Sequence, residues 1–485
     1  MIVQSTWRGL RMFLHSIWII ILAGAVNSLF AADTPPGKLL DSPFPFYHDY
    51  NLSALFPLGK RSSKKAKPVP SSSLTLDECI DLALKRNPDH NISREALRDT
   101  WGDILVAWGQ YVPNMFVTYG FSESETAFPI TSPQGVSSYR SRTSKSSYAT
   151  LGLSLTVFSQ ARQYFGLRNA YYLRSARRSE LRGSELNLVN AVRSAYFNVL
   201  RQEKLLQAAR DQADQLKEQL RRAETRHSLG EVTKLDVLQA QIDLQDQELL
   251  ILEYENLVIA TKMDLDQVVG GGLGSGFTLA GEFEIREPHF DVDGLVKESL
   301  ERHPDLESLQ MQIKQGEGNL WMGRLAYLPV LKAAWGLSRN ETGIIIMPDY
   351  QRGRQVTFTA SWNILDGFLR FQENRSAEVT VNSLKFQLAK TTLSVERNVR
   401  VSYLELLRQY KRNLGLADSR DKAEQSLKLE RRLYQLGSSS MVELRKAQAD
   451  FTQAEVDYIN SIYDYHVALS ELGRNVGRDM SREGR

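Results

Sequence analysis

Two long stretches of this chain contain no proline. None occurs from Gln134 to Glu287, a run of 154 residues, and none from Asp349 to Arg485, a further 137. At the usual share of about 5 %, these runs would hold roughly 15 prolines. Proline removes a backbone donor and costs about 3 kcal/mol inside a helix. Long tracts of unbroken backbone hydrogen bonding are therefore expected, and a proline-rich loop protein is excluded.

The chain is also written twice. Asn87-Pro88-Asp89 returns as His303-Pro304-Asp305, and Tyr111-Val112-Pro113 as Tyr327-Leu328-Pro329, both 216 residues on. Ala195-Tyr196-Phe197 returns as Ser402-Tyr403-Leu404, Leu229-Gly230 as Leu436-Gly437, and Ala240-Gln241 as Ala447-Gln448, all 207 residues on. Fixed offsets mark two copies of one supersecondary unit, and the change of offset falls in a loop between Pro113 and Ser147. The expected repeats are residues 74–273 and 294–473, with a linker at 274–293 and a short tail at 474–485.

Ahead of the repeats, residues 1–31 read as a secretory signal peptide: Arg8 and Arg11, an apolar run from Ile17 to Val26, then Ala31-Ala32. An uncleaved anchor helix is the alternative. Residues 32–73 are polar, contain proline and carry the basic run Lys60–Lys67, which suits a flexible tether. A mean hydropathy of −0.34 excludes a helical membrane transporter. A net charge of +3 gives no field that argues for nucleic acid. The one cysteine, Cys79, lies at helical spacing from Leu76, Ile80 and Ala83 and reads as a small buried hydrophobe.

Each repeat has the same order of elements. A helix from Leu76 to Gln110 ends at Tyr-x-Pro, and a pair of strands follows. In Ser147–Phe158 the positions Ala149, Leu151, Leu153, Leu155 and Val157 are apolar, while those between are mostly small or polar. Val356, Phe358, Ala360, Trp362 and Ile364 alternate in the same way. So do Met115, Val117, Tyr119 and Phe121, and Leu331, Ala333, Trp335 and Leu337. A period of two over about ten residues is that of a membrane strand with one greasy and one wet face. A heptad seam then runs from Leu188 through Val192, Ala195 and Val199 to Ala223. On the return, Leu235, Leu238, Ile242, Gln245, Leu249, Leu252, Asn256, Ile259 and Met263 keep steps of three and four. An antiparallel coiled coil is expected, with a first helix near 160–229 about 105 Å long.

The tips, residues 228–234 and 435–441, repeat one device. Gly230 suits a left-handed helix stop, and Thr233 with Asp236 forms a capping-box pattern that Ser440 and Glu443 reproduce. Asp236 and Glu443 therefore cap helices; an oligomer would also gather them into an acidic ring. Nothing points to catalysis or a cofactor. No two of the seven His have metal-ligand spacing. The run Gly270–Gly276 follows a helix, lacks the Lys-Ser/Thr of a phosphate loop, and reads as a flexible joint. Arg174, Arg177, Arg178 and Arg182 read as a solvated face, with lipid head groups as the other candidate. Four strands cannot close a barrel, and an open edge is not tolerated in lipid, so several chains must share one.

Two repeats of helix, strand pair, long helix, glycine tip and return helix resemble the outer membrane efflux protein family, the TolC-like channels. The resemblance rests on the Asn-Pro-Asp and His-Pro-Asp segments, the Tyr-x-Pro junctions, and the tips His227–Ala240 and Tyr434–Leu444. It implies a mainly α chain with a small transmembrane β part, built of two long antiparallel coiled-coil hairpins plus four strands. Three such chains would form a 12-stranded β-barrel continued by an α-helical barrel. The implied function is a passive exit duct of a tripartite efflux or type I secretion system. It would be a homotrimer in outer membrane lipid, with its helical part in the periplasm, docked to a periplasmic adaptor and an inner-membrane pump of RND or ABC type. By the same resemblance, Leu229, Gly230, Glu231 and Val232, with Leu436, Gly437, Ser438 and Ser439, dock the adaptor. Asp236 and Tyr434 would hold the closed entrance and Glu443 would form an acidic constriction. Ser439 replaces a basic residue of some relatives and Lys446 an acidic one, so the closed state would be held differently. A periplasmic coiled-coil adaptor or structural protein of an envelope complex is the alternative.

Overall fold

The computed structural model describes residues 73–478 except 132, 134, 136, 275, 282, 283, 345 and 346. They fall in one of the chain's two compact units, Lys67–Arg485. The expected signal peptide and the basic run at Lys60–Lys67 lie outside the described residues. Repeat one consists of α1 (Leu76–Arg86), α2 (Pro88–Gly109), β1 (Asn114–Thr131), β2 (Ser137–Ser159), α3 (Arg162–Ser228) and α4 (Lys234–Val269). Repeat two consists of α5 (Val292–Arg302), α6 (Pro304–Leu325), β3 (Val330–Ile344), β4 (Met347–Ser361), α7 (Leu369–Gln435) and α8 (Met441–Val476). Corresponding helices have identical lengths of 11, 22, 67 and 36 residues.

The single helix expected over Leu76–Gln110 is two. Asn87 leaves the helical region at ψ 127°, as a residue before proline must, and its Oδ1 accepts from His90 N at 3.1 Å to start α2. His303 does the same before Pro304, its Nδ1 accepting from Asp305 N at 3.3 Å. Likewise the glycine run is less free than expected. Gly270 caps α4 at φ 97°, and a Cβ there would lie 2.7 Å from the Arg86 backbone. Gly477, 207 residues on, caps α8 at φ 90°, so the last helix runs past the expected end of the repeat.

The strands form one antiparallel sheet in the order β1-β2-β3-β4. The register brings most of the expected greasy rows onto one face, with Val117 opposite Leu151, Leu151 opposite Leu337, and Trp335 opposite Val356; a register shift leaves Val157 unpaired, and Trp362 and Ile364 lie beyond the end of β4. On the other face Tyr148 lies over Gly120 and Phe116 over Gly152, where any side chain would collide with the ring.

Strand becomes helix through two successive left-handed residues in each repeat, Gln160-Ala161 and Gly367-Phe368. For a non-glycine residue this costs about 1–2 kcal/mol. A clasp holds each corner. Gln163 Nε2 donates to Thr156 O at 2.7 Å and Gln110 O at 3.1 Å. Arg370 makes the repeat-related bonds to Asn363 O and, at 3.2 Å, Ala326 O, while pairing with Asp366.

At about 1.5 Å per residue, each 67-residue helix spans roughly 100 Å. The seam expected on α3 is buried or half-buried along its length. The stripe expected to meet it from α4 is not. Leu235, Leu249 and Met263 are 72 %, 60 % and 61 % exposed, and the residues between them face the same way. The face turned to α3 is a second stripe in the same heptad rhythm, with Ala240, Gln247, Thr261, Leu265 and Val269 buried. Periodicity located an apolar stripe without saying which neighbour covers it. On α7, Val379, Phe386 and Leu393 are likewise bare at seven-residue steps. The main core lies where α1 meets the coiled coil: Cys79 and Ala83 against Val192, Tyr196, Leu265 and Val269.

Two outcomes are expected. Gln163→Ala leaves two carbonyls without their donor and should cost about 1–3 kcal/mol in thermal unfolding. His303 serves as a cap only when neutral, and burial pushes its pKa below the ordinary value. Asp305 opposes that shift, and Arg182 and Arg474 reinforce it. The unfolded chain then takes up the proton first, so stability is full above about pH 6.5 and declines below it. Melting temperatures from pH 7.5 to 5 should fall less in His303→Asn than in the wild type.

Candidate functional site

Both hairpins reverse by the same backbone route. After α3, Gly230 adopts φ 79°, with Gly230 N bonded to His227 O and Glu231 N to Arg226 O, both at 2.9 Å. After α7, Gly437 adopts φ 75°, with Gly437 N on Tyr434 O and Ser438 N on Leu433 O. Each return helix then starts from a complete capping box. Thr233 Oγ1 accepts from Asp236 N at 3.3 Å while Asp236 Oδ2 accepts from Thr233 N at 2.9 Å. Ser440 and Glu443 repeat this at 3.3 and 2.9 Å. The turns push apolar side chains into solvent: Leu229 is 69 % and Leu436 73 % exposed. Val232 is half-buried, and Glu231 pairs with Arg226 at 3.0 Å.

The expected gate residues divide. Asp236 spends its carboxylate on Thr233, and among the described residues no hydrogen bond joins it to Tyr434. Tyr434 lies beneath the Arg226 guanidinium, 5.8 Å from ring centre to charge. Glu443 accepts from Ser440 N and from the Ser439 and Ser440 hydroxyls, which hold its carboxyl below the usual range, so it stays ionised. Ser439 Oγ also lies 3.0 Å from Glu430, so its one hydroxyl hydrogen is shared between two acids. Lys446 is exposed.

Sequence reasoning missed the ties between the hairpins. Arg445 on α8 pairs with Asp243 on α4 at 2.9 Å, the carboxylate being nearly buried. Gln448 Nε2 donates to Gln219 Oε1 at 2.8 Å, and Arg431 donates to Gln215. One signal was available: Arg445 stands where the first repeat has Leu238, a charge present in one copy alone. Of the four arginines read as a solvated face, Arg178 is exposed and the other three are engaged. Arg174 stacks on Trp101, Arg177 pairs with Glu180, and Arg182 with Glu307. Among the described residues no cluster of three or more His, Cys, Asp or Glu is placed to hold a metal, and no helix is long and apolar enough to cross a membrane.

Residues 79–271 and 295–478 match the outer membrane efflux protein family, one match to each repeat. The chain belongs to that family. It is an outer membrane protein, with the sheet as its membrane part and the long helices in the periplasm. Among its relatives is the pyoverdine export outer membrane protein OpmQ of Pseudomonas aeruginosa. The two are 25 % identical over 279 residues, 54 % of this chain and 56 % of the relative. The toluene efflux pump outer membrane protein TtgC of Pseudomonas putida is 25 % identical over 186 residues, 37 % of this chain and 38 % of the relative. The chain thus aligns with about half, or less, of the length of these relatives. The fold is shared with the Campylobacter jejuni CmeC outer membrane channel at TM-score 0.71, with 17 % identity over 84 % of this chain and 88 % of that one. It is shared with the open state of the Neisseria gonorrhoeae MtrE channel at 0.67, with 15 % identity over 84 % and 90 %.

In this efflux family member the two caps should be separable from membrane assembly. Thr233→Ala and Ser440→Ala should each cost about 1 kcal/mol locally. Amide exchange should quicken in the first turns of α4 and α8 and stay unchanged in the sheet.

Proposed function

We propose that this protein is the passive exit duct of a tripartite export system, a homotrimer gated at its periplasmic tips. The observation that carries this reading is the four-stranded sheet. Its greasy rows share one face, and among the described residues the outer edges of β1 and β4 have no partner strand. In hydrocarbon each unpaired backbone group costs several kcal/mol, so the edges must be closed by further copies. Three copies supply twelve strands, within the range of bacterial barrels. The bare stripes on α4 and α7 support the same assembly, since contact between copies would cover them along the tunnel. An adaptor or purely structural coiled coil has no use for such a sheet.

The closed entrance is held where the two hairpins meet. Asp236, Tyr434 and Glu443 line it, and the Asp243–Arg445 pair ties α4 to α8. Opening separates the hairpins, so each tie biases a two-state entrance toward closed. Leu229, Gly230, Glu231 and Val232, with Leu436, Gly437, Ser438 and Ser439, form the surface met by a periplasmic adaptor. An inner-membrane pump, of RND or ABC type, supplies energy and selects cargo.

Single-channel recording in planar bilayers tests the gate. Arg445→Ala, and separately Asp236→Ala with Tyr434→Phe, should raise mean conductance several-fold. Conductance at the wild-type level in both would remove the latch assignment. Replacing Gly230 or Gly437 by Trp should abolish export in cells while heat-resistant oligomers still form.

A further inference from the structure

The two free edges of the sheet carry opposite charges on the greasy face. On β4, Arg354 continues the row of Phe358 and Val356; on β1, Glu125 continues the row of Val117, Tyr119, Phe121 and Glu123. Both side chains are exposed, and among the described residues neither has an ion pair or a hydrogen bond. Arg354 faces Leu337, with Trp335 and Arg339 on the diagonals, so no acid of its own chain adjoins it on this face. Glu125 faces Thr143, and the cation in the next row, Lys145, already pairs with Glu123 at 3.3 Å. Of the other charges on this face, Arg339 is engaged within the chain, Arg352 lies opposite it with Glu341 on the diagonal, and Glu341 lies between Ser147 and Tyr350.

Position makes these unpaired charges costly. Arg354 stands seven residues up β4 from Ser361 at the periplasmic end of the strand. At about 3.4 Å per residue and a tilt of roughly 40° that is about 18 Å, within an apolar band about 25 Å tall. A charge facing lipid there is disfavoured unless it is paired. The repeat supplies the register in which a second copy would meet these edges. β1 and β3 are related by 216 residues and β2 and β4 by 207, since Asn114 opposite Ser154 recurs as Val330 opposite Ser361. The joint of β4 with a partner's β1 is therefore the counterpart of the joint of β2 with β3. Leu151 opposite Leu337 becomes Phe358 opposite Phe121 of the partner subunit, and Ser147 opposite Glu341 becomes Arg354 opposite Glu125 of the partner subunit. The register shift between β2 and β3 lies beyond Thr156 and does not reach these rows.

We propose that Arg354 and Glu125 of the partner subunit form an ion pair on the lipid face of each joint between copies, in the register set by the joint between repeats. The proposal rests on the reading of the sheet as a share of one barrel and adds how the copies are matched. The pair belongs to one kind of joint alone: inside the chain the acid Glu341 meets Ser147, and only between chains does the corresponding acid meet an arginine. Charge also chooses the mode of association. A second β1 laid on β1 would gather Glu123 and Glu125, and a second β4 on β4 would gather Arg352 and Arg354, so like charges oppose a two-fold dimer. The head-to-tail joint that a ring needs brings opposite charges together.

Charge exchange in the full-length protein tests the pair, with heat-resistant oligomers read on detergent gels. R354E and E125R should each lower the temperature at which oligomers dissociate by several degrees, and R354E/E125R should recover most of that loss. Losses that add in the double variant, or no loss in either single variant, would overturn the pair. A loss confined to one single variant would overturn it too, and one confined to R354E would assign the arginine to a lipid phosphate. Cysteine pairs test the register independently, because the native Cys79 is buried. On oxidation R354C/E125C should link copies covalently several-fold faster than R354C/E123C, and the reverse order would overturn the register. A wild-type protein without heat-resistant oligomers, together with no cross-link in either cysteine pair, would instead bring down the shared barrel and the proposal with it.

Discussion

An unpaired strand edge inside a membrane is the condition to which the rest of this structure answers. Among the described residues four strands pair with one another and leave β1 and β4 open outward. In water such edges can be hydrated; in hydrocarbon they demand another strand. Under the proposed assembly, completion by further copies in turn requires that every copy meet its neighbours in one register from the sheet to the tips. Corresponding helices of the repeats agree to the residue over four lengths, the longest 67 residues. An insertion of one residue in a helix would turn everything beyond it by about 100° and move its apolar stripe off the neighbour.

Most of this was legible because the relevant signals are local. Alternation along Ser147–Phe158 states which side chains share a face, and pairing keeps them there as far as Thr156, where a shift of register puts Phe158 opposite Leu331. The tips were legible because Gly230 and Thr233–Asp236 carry their own geometry. What was not legible concerns partners. The stripe from Leu235 to Met263 has the right period for a seam, but α4 bears a second one, and its rhythm cannot say which faces α3. The break at Asn87 was hidden by strong helical pattern on both sides of Pro88, although the constraint on the preceding residue was available. The Asp243–Arg445 tie joins residues 202 positions apart on helices of different repeats, beyond the reach of any periodicity.

At the tips, structural and functional demands fall on the same atoms. Asp236 and Glu443 already accept from the backbone amides of their cap residues, Thr233 and Ser440, so neither carboxylate is free to act as a latch without weakening its cap. The Asp243–Arg445 pair lies two turns farther along α4 and caps nothing. Under the proposed gating, ties of this second kind would break and re-form during opening while both hairpins stay wound to their ends. That division would let a gated entrance move without unfolding its rim.

The repeats diverge in chemistry where they meet unlike neighbours. At the corner between sheet and helix, Gln163 and Arg370 reach repeat-related carbonyls, so the corner itself is preserved while its donor changes. Gln160, by contrast, reaches across from the first repeat to the Ala326 and Leu328 carbonyls of the second. Its counterpart is Gly367, which has no side chain to send. The bond that locks repeat one to repeat two within a chain therefore has no twin to lock repeat two to the next chain. In the proposed closed ring the joints would then alternate, one kind inside each copy and another between copies. Gly367, at φ 65°, meets no atom within 4 Å of where a Cβ would stand, so its side of the corner is open for a neighbour to fill.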